Sequence, residues 1–240
     1  PKKRCAVAAK RNKRMKETVT YKYIGQAGYA ETWELQKRLF AALLEAKRGG
    51  GSAEQTLLLV EHPHVYTLGK SGHESNMLVD ERFLQTIGAT YFRIDRGGDI
   101  TYHGYGQLVG YPILDLERLG FSLKDYIWTL EECVIRTIAD YGIEGARLDG
   151  ATGVWIEGDT ARARKICAIG VKASRYVTMH GFALNVTTDL SYFSHINPCG
   201  FVDKGVTSIE KETGLKPSLE EVARKFAARF GELMRCDMKE

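Results

Sequence analysis

A single α+β domain, built on a mixed, mostly antiparallel sheet with flanking helices, is the fold class that three features of the sequence predict. Short apolar and β-branched runs recur between glycine-rich turns over most of residues 19–187. Three longer stretches carry helical periodicity with capping residues, and no internal repeat or low-complexity linker divides the chain. With 240 residues and 44% hydrophobic content, the chain is long enough to bury one large core, and nothing in its composition suggests disorder of the whole.

Residues 1–16 stand outside this pattern. Within residues 1–14, Lys2, Lys3, Arg4, Lys10, Arg11, Lys13 and Arg14 form a basic run without an acid, and since the formal net charge is +4, the chain beyond Arg14 carries −3. A nucleic-acid binder of the basic-patch kind keeps its excess charge on the folded part, so this composition argues against that function. The run reads as a basic tail, disordered or lying upstream of a natural start at Met15, with the domain over 17–240.

Residues 19–25 (VTYKYIG) alternate as an edge or half-buried strand, and Gly25 and Gly28 separate them from a helix over 29–48. Trp33, Leu39, Phe40, Leu43 and Leu44 share one broad face of that helix. After the polar break RGGGSAEQ, the continuous leucines of TLLLVEH (56–62) predict a strand buried on both faces. HPHVYTLGKSG (62–72) reads as a strand running into a glycine turn, one wall of a pocket, with Lys70 and His73 at its rim. His62 and His64 stand at i and i+2, where an extended segment would point both the same way, but no third ligand is spaced to complete a metal site.

ATYFRID (89–95) is the next strand, and QLVGYPILDL (107–116) is another in which Pro112 limits ladder bonding. Ser122, with Asp125 three positions on, caps a helix along which Tyr126, Leu130, Cys133, Val134 and Ile138 repeat until Gly142. Strands near 153–157, 165–171 and 176–187 form an antiparallel meander. Ser218 and Glu221 have capping-box spacing ahead of a last helix striped by Leu219, Val222, Phe226, Phe230 and Leu233.

No apolar run approaches the roughly 20 residues that span a bilayer, and no secretory signal pattern is present, so a cytoplasmic location is expected. Five cysteines, at 5, 133, 167, 199 and 236, form no CxxC pair and leave an odd one over, which predicts free thiols and neither a disulfide framework nor a thiolate zinc site.

The chemistry concentrates in three stretches. RGGDITYHGYGQLVGY (96–111) places glycines beside Arg96 and His103 between two strands; Gly97 and Gly98 are expected to reach positive φ and to let a ligand approach the main chain. HINPCG (195–200) sets Cys199 between a proline and a glycine, in an expected tight turn. Lys165 opens KICAIGVKAS, and a lysine brought beside a cysteine by sheet packing makes an activated thiolate pair.

Together, RGGDITYHGYGQLVGY, ARKICAIGVKASRYVTMHGFALN and HINPCG resemble the lipoyl(octanoyl) transferases, in the family's order and at similar spacing, over roughly residues 17–215. The departure is Tyr105, where the family commonly has proline in HGPGQ. The resemblance implies a biotin/lipoate ligase-like fold and an acyltransferase, with Cys199 and Lys165 as catalytic residues. It implies substrate contacts from Arg96, Gly97, Gly98, Asp99, Ile100, Thr101, Tyr102 and His103, from Ala168, Ile169 and Gly170, and from Gly181, Phe182 and Ala183, with His180 and Tyr111 in support. It implies octanoyl acyl carrier protein as donor, and as acceptors the lipoyl domains of 2-oxoacid dehydrogenases and the glycine cleavage H protein. No cofactor, metal, nucleic acid or membrane is expected, and the protein is expected to be a monomer.

A free thiol titrating near 8.5 is only about 3% ionised at neutral pH, and an ammonium within about 4 Å offers up to ~4 kcal/mol, before desolvation, toward raising that fraction. Three readings compete. An ATP-dependent lipoate ligase would not need Cys199, an idle adaptor would bind carriers without being acylated, and a thioesterase would pass the acyl group to water. Arg162, Arg164, Lys165, Lys172 and Arg175 further suggest a basic field that attracts acidic partners.

Overall fold

The computed structural model describes residues 16–197 and 205–240. The tail up to Met15 and the HINPCG turn from Pro198, including Cys199, lie outside the described residues.

The elements follow the expected order. They are β1 (Thr18–Gln26), α1 (Tyr29–Arg48), β2 (Gln55–Glu61), β3 (Val65–Leu68), α2 (Glu81–Thr86), β4 (Thr90–Arg93), β5 (Ile100–His103) and β6 (Gln107–Ile113). Then come α3 (Leu116–Leu119), α4 (Leu123–Ala139), β7 (Ala146–Leu148), β8 (Ala151–Ile156), β9 (Arg164–Ser174) and β10 (Val177–Asn185), and finally β11 (Gly205–Val206), α5 (Ile209–Thr213), α6 (Leu219–Met234) and β12 (Asp237–Lys239). The caps are those expected: Ser122 and Ser218 accept the N–H groups of Asp125 and Glu221.

The main sheet runs β12-β1-β2-β6-β10-β9-β8-β7, with β11 alongside β9. Its central pairs are antiparallel, while β1 is parallel to both β2 and β12 and β11 is parallel to β9. The expected mixed, mostly antiparallel sheet is therefore present. β2 is buried along its leucines because α1 packs on one face, over Leu58 and Val60, and α4 and α6 on the other, over Leu57 and Leu59.

Two features of the sheets go beyond what the sequence led us to expect. The C-terminal β12 pairs outside β1, covering it. And β3, β4 and β5 leave the main sheet as a separate one, ordered β4-β3-β5. Pro63 explains the departure: it has no N–H for a ladder, and the chain breaks between β2 and β3. No helix among the described residues is long and apolar enough to cross a membrane.

Candidate active site

The stretch after β4 is tied to both sheets. Lys70 N–H donates to the Arg96 carbonyl (3.0 Å) and Ser71 N–H to that of Gly98 (3.1 Å), while Gly97 N–H reaches Val171 O on β9 (2.9 Å). Of the two glycines only Gly98 takes a positive φ, +86°. Gly97 is instead required by close approach, since a Cβ there would stand 3.2 Å from Val171 O. The Arg96 side chain is buried and works as a clamp: Nη2 donates to Thr67 O (2.7 Å) and Oγ1 (3.0 Å), and Nη1 to Gly97 O (3.0 Å). Asp99 Oδ1 accepts Ile100 N–H and Oδ2 accepts Asn76 Nδ2, both at 2.6 Å. Asn76 O in turn accepts the N–H of Asn197, the last residue described before Cys199.

The facing wall is β9 and β10. Because Pro112 has no N–H, the β6–β10 ladder stops at Gly110↔Phe182. Beyond it, the Thr178 hydroxyl donates to Pro112 O (2.8 Å) and accepts Leu114 N–H (3.2 Å). Between these points His180 sits at φ +58°, a local distortion that directs its ring to Asp95, 3.0 Å from Nε2. Burial pushes the His180 pKa down to about 4, so the neutral ring carries the Nε2 hydrogen and donates it. Burial alone would raise the Asp95 carboxyl, but the bonds from His180 and Lys172 hold it below the ordinary range.

Two further histidines have their tautomers set by neighbours. Gln107 Nε2 donates to Tyr102 O and Asn185 Oδ1, so its Oε1 must accept from His103 Nδ1–H (2.9 Å), leaving His103 Nε2 an acceptor. His62 Nδ1 donates to Ala27 O (2.7 Å), so Nε2 accepts from the Tyr111 hydroxyl (2.8 Å). Burial lowers the pKa of His103 to about 3 and of His62 to about 4. His64 turns elsewhere, bonding the Tyr102 hydroxyl and stacking on Tyr192, so the i, i+2 pair does not converge. Among the described residues no cluster of three or more His, Cys, Asp or Glu is placed to hold a metal.

Lys165 lies on β9 between β8 and β11, with Trp155 and Val206 as its cross-strand neighbours. Its Nζ donates to Thr152 O (3.3 Å) and stands 4.6 Å from the centre of the Trp155 ring. The basic field expected around it is largely neutralised: Arg162 pairs with Glu157, Arg164 with Glu157 and Glu212, and Lys172 with Asp95. Glu157 lies just upstream of the run, while Glu212 and Asp95 come from elsewhere in the sequence and reach it only through the fold.

Loop, wall and lysine enclose a cavity of about 580 Å³. Arg96, Gly97, Gly98, Asp99, Ile100, Thr101 and His103 line it, as do Ala168, Ile169, Gly170, Gly181, Phe182 and Ala183, together with Lys165, His180 and Tyr111. Tyr102 is not among the lining residues; on β5 it faces Tyr66 and Tyr192. Tyr29, Thr152, Trp155, Phe193, Gly205 and Val206 also line the cavity and were not anticipated. For Trp155, the expected meander held a signal, since pairing about a turn near residue 160 brings it close to Lys165. Cys199 lies outside the described residues, but Phe193 before it and Gly205 after it both border the cavity.

A mixed sheet flanked by helices, with a polar glycine loop closing a largely apolar cavity, defines an enzyme of the lipoate and biotin ligase fold. A bipartite lipoate protein ligase from Thermoplasma acidophilum superposes with a TM-score of 0.67 at 17% identity, over 94% of this chain and 86% of that one. The biotin protein ligase of Aquifex aeolicus, in complex with biotin and ATP, gives 0.50 at 14% identity, over 92% and 71%. The chain belongs to the lipoyl protein ligase A/B catalytic domain family, whose profile matches residues 28–231. A protein of Bacteroides fragilis named octanoyltransferase is 62% identical over 194 residues, 81% of this chain and 88% of the relative. By this kinship the chain is an acyltransferase.

Proposed function

We propose that the chain moves an octanoyl or lipoyl group from acyl carrier protein to a lysine of lipoyl domains, those of 2-oxoacid dehydrogenases and the glycine cleavage H protein, through a thioester on Cys199. The observation that carries this is the cavity in which Lys165 meets both described flanks of the Cys199 stretch, beside an apolar wall of Ala168, Ile169, Gly170, Phe182 and Ala183 that suits an alkyl chain. The described cysteines support it from the other side. Cys133, Cys167 and Cys236 are all buried, and burial pushes their thiols up, that of Cys236 to about 11, away from the thiolate a nucleophile requires.

In the first half-reaction the Cys199 thiolate attacks the thioester carbonyl carbon, and the carrier sulfur leaves, taking a proton from the Lys165 ammonium. In the second, the acceptor amine attacks the acyl-cysteine, Lys165 takes back a proton and the Cys199 thiolate departs. The cavity-lining residues 96–101 and His103 of the loop, the 168–170 and 181–183 segments, His180 and Tyr111 hold the acyl group. No cofactor enters this scheme. The protein acts as a cytoplasmic monomer whose residues 1–14 are dispensable.

The test is intact mass after incubation with octanoyl acyl carrier protein alone. One octanoyl group should be gained by the wild type and by Cys167→Ser, and none by Cys199→Ser, with onward transfer to a lipoyl domain proceeding without ATP. Full transfer by Cys199→Ser, or strict ATP dependence, would overturn the reading.

A further inference from the structure

We propose that Trp155 is the positioning residue for Lys165: its indole face, with the Thr152 carbonyl, holds the ammonium at the cavity so that it can exchange a proton with the reacting sulfur. This rests on Lys165 being the proton carrier.

The geometry begins in the β8–β9 ladder. Val154 pairs with Cys167, but Trp155 pairs with Lys165, so one residue of β9, Ile166, is left over in a bulge. Such an insertion re-aims the side chains beyond it. Ile166 stays in the core while Lys165 and Trp155 are both brought to the cavity, directly opposite one another. Trp155 is 2% exposed, and its ring is fixed edge-on by Nε1–H donating to Ala151 O (2.8 Å). Lys165 Nζ lies 4.6 Å from the ring centre, well inside the ~6 Å range of a cation–π contact.

The strand beneath is adapted to the lysine. Gly153 has φ +124°, and a Cβ on it would stand 2.5 Å from Cys167 O and 3.5 Å from Lys165 Cε. Its N–H donates to the buried Glu131 carboxylate on α4 (3.0 Å), which Arg147 holds from the other side. That bond fixes the peptide plane whose carbonyl, Thr152 O, accepts from Lys165. The π face and the carbonyl both favour the ammonium and fix its place without taking its proton. Glu131 is used one step away, on the backbone.

The alternative is that Trp155 is a core side chain whose only task is to brace the hairpin through Nε1. Two substitutions separate the roles: Trp155→Phe keeps an aromatic face and loses the Nε1 bond, and Trp155→Leu loses both. In octanoyl transfer by the full chain, Trp155→Leu should lower kcat about tenfold or more with KM within about twofold, and Trp155→Phe should restore most of it. Independently of turnover, protein labelled with 13C at lysine Cε should show a Lys165 ε-CH2 signal displaced upfield by the indole ring current, told apart from that of Lys37 over Trp33 (4.3 Å) by comparison with Lys165→Arg. That signal should be absent from Lys165→Arg, moved toward the bulk in Trp155→Leu and largely kept in Trp155→Phe.

Wild-type kcat in Trp155→Leu beside an inactive Lys165→Ala would overturn the proposal and leave the catalytic reading intact. Equal damage from Phe and Leu would assign Trp155 to the hairpin and overturn it as well. Full transfer by Lys165→Ala would remove the catalytic reading, and the proposal with it. Should Trp155→Leu fail to fold, a wild-type spectrum from which Lys165→Arg removes no displaced signal is by itself enough to overturn the contact.

Discussion

At the scale of single residues, Arg96 shows how a charge expected to face substrate is committed to shaping the loop. Its guanidinium donates to three neutral oxygens, two on Thr67 and one on Gly97, and so joins the small sheet to the glycine stretch. A lysine has one ammonium and no planar fork, and cannot reproduce this set of bonds. Arg96→Lys should therefore lose about 1–3 kcal/mol of stability, the cost of leaving buried acceptors unpaired, and should raise KM for the carrier substrate more than it lowers kcat. Urea denaturation and steady-state transfer kinetics measure the two effects. Wild-type stability in Arg96→Lys would mean that the clamp does not hold the loop.

At the scale of elements, the site depends on two ladders that are interrupted, β6–β10 at Pro112 and β8–β9 at Ile166. Thr178 splints the first, its hydroxyl serving Pro112 O and Leu114 N–H in a fully buried position. Thr178→Val keeps the shape but leaves both groups without a partner, so it should cost about 2–4 kcal/mol, while Thr178→Ser should cost about 1 kcal/mol or less. Similar denaturation midpoints for Val and Ser would show that the hydroxyl is not the splint. These interruptions mark the limit of what the sequence discloses. Helices α4 and α6 were legible because their signals are local: a serine cap, an acid three positions on, an apolar stripe. The glycine loop was legible for the same reason, whereas Lys165 was singled out through the family resemblance. The pairing of β12 with β1 was not, since three residues carry no pattern and the partner lies at the other end of the chain. Nor was the face that Lys165 shares with Trp155, because a one-residue register shift reverses every side chain beyond it. The neutralised basic run was equally out of view, as Asp95 and Glu212 reach it only through the fold.

At the scale of the whole molecule, histidines kept neutral by burial, His103 and His180 in the cavity wall and His62 against Tyr111, couple stability to pH. His62 and His180 are pushed down to about 4 and His103 to about 3, while each titrates near 6.5 in the unfolded chain. Above about pH 7.5 neither state takes up a proton at these sites, and their contribution is constant. As pH falls from 6.5 toward 4 the unfolded chain binds protons that the folded one refuses, so stability drops, by up to about 1.4 kcal/mol per pH unit for each histidine. Three such groups acting from pH 6.5 down to 5 remove about 5 kcal/mol, comparable with the ~5–15 kcal/mol total of a typical domain. Urea unfolding at a series of pH values should therefore show a flat region above about pH 7.5 and a steep loss between pH 6.5 and 5. His62→Gln, in which the side-chain N–H can still meet Ala27 O, should be less stable at pH 7 but have a shallower slope, by about 1.4 kcal/mol per unit. The sign separates this from carboxylate titration: groups with depressed carboxyl values such as Asp95 add their own loss only below about pH 4. A stability curve flat from pH 7 to 5, or a slope unchanged in His62→Gln, would mean that the buried histidines become protonated in the folded protein, and the tautomers assigned to these histidines would then have to be withdrawn.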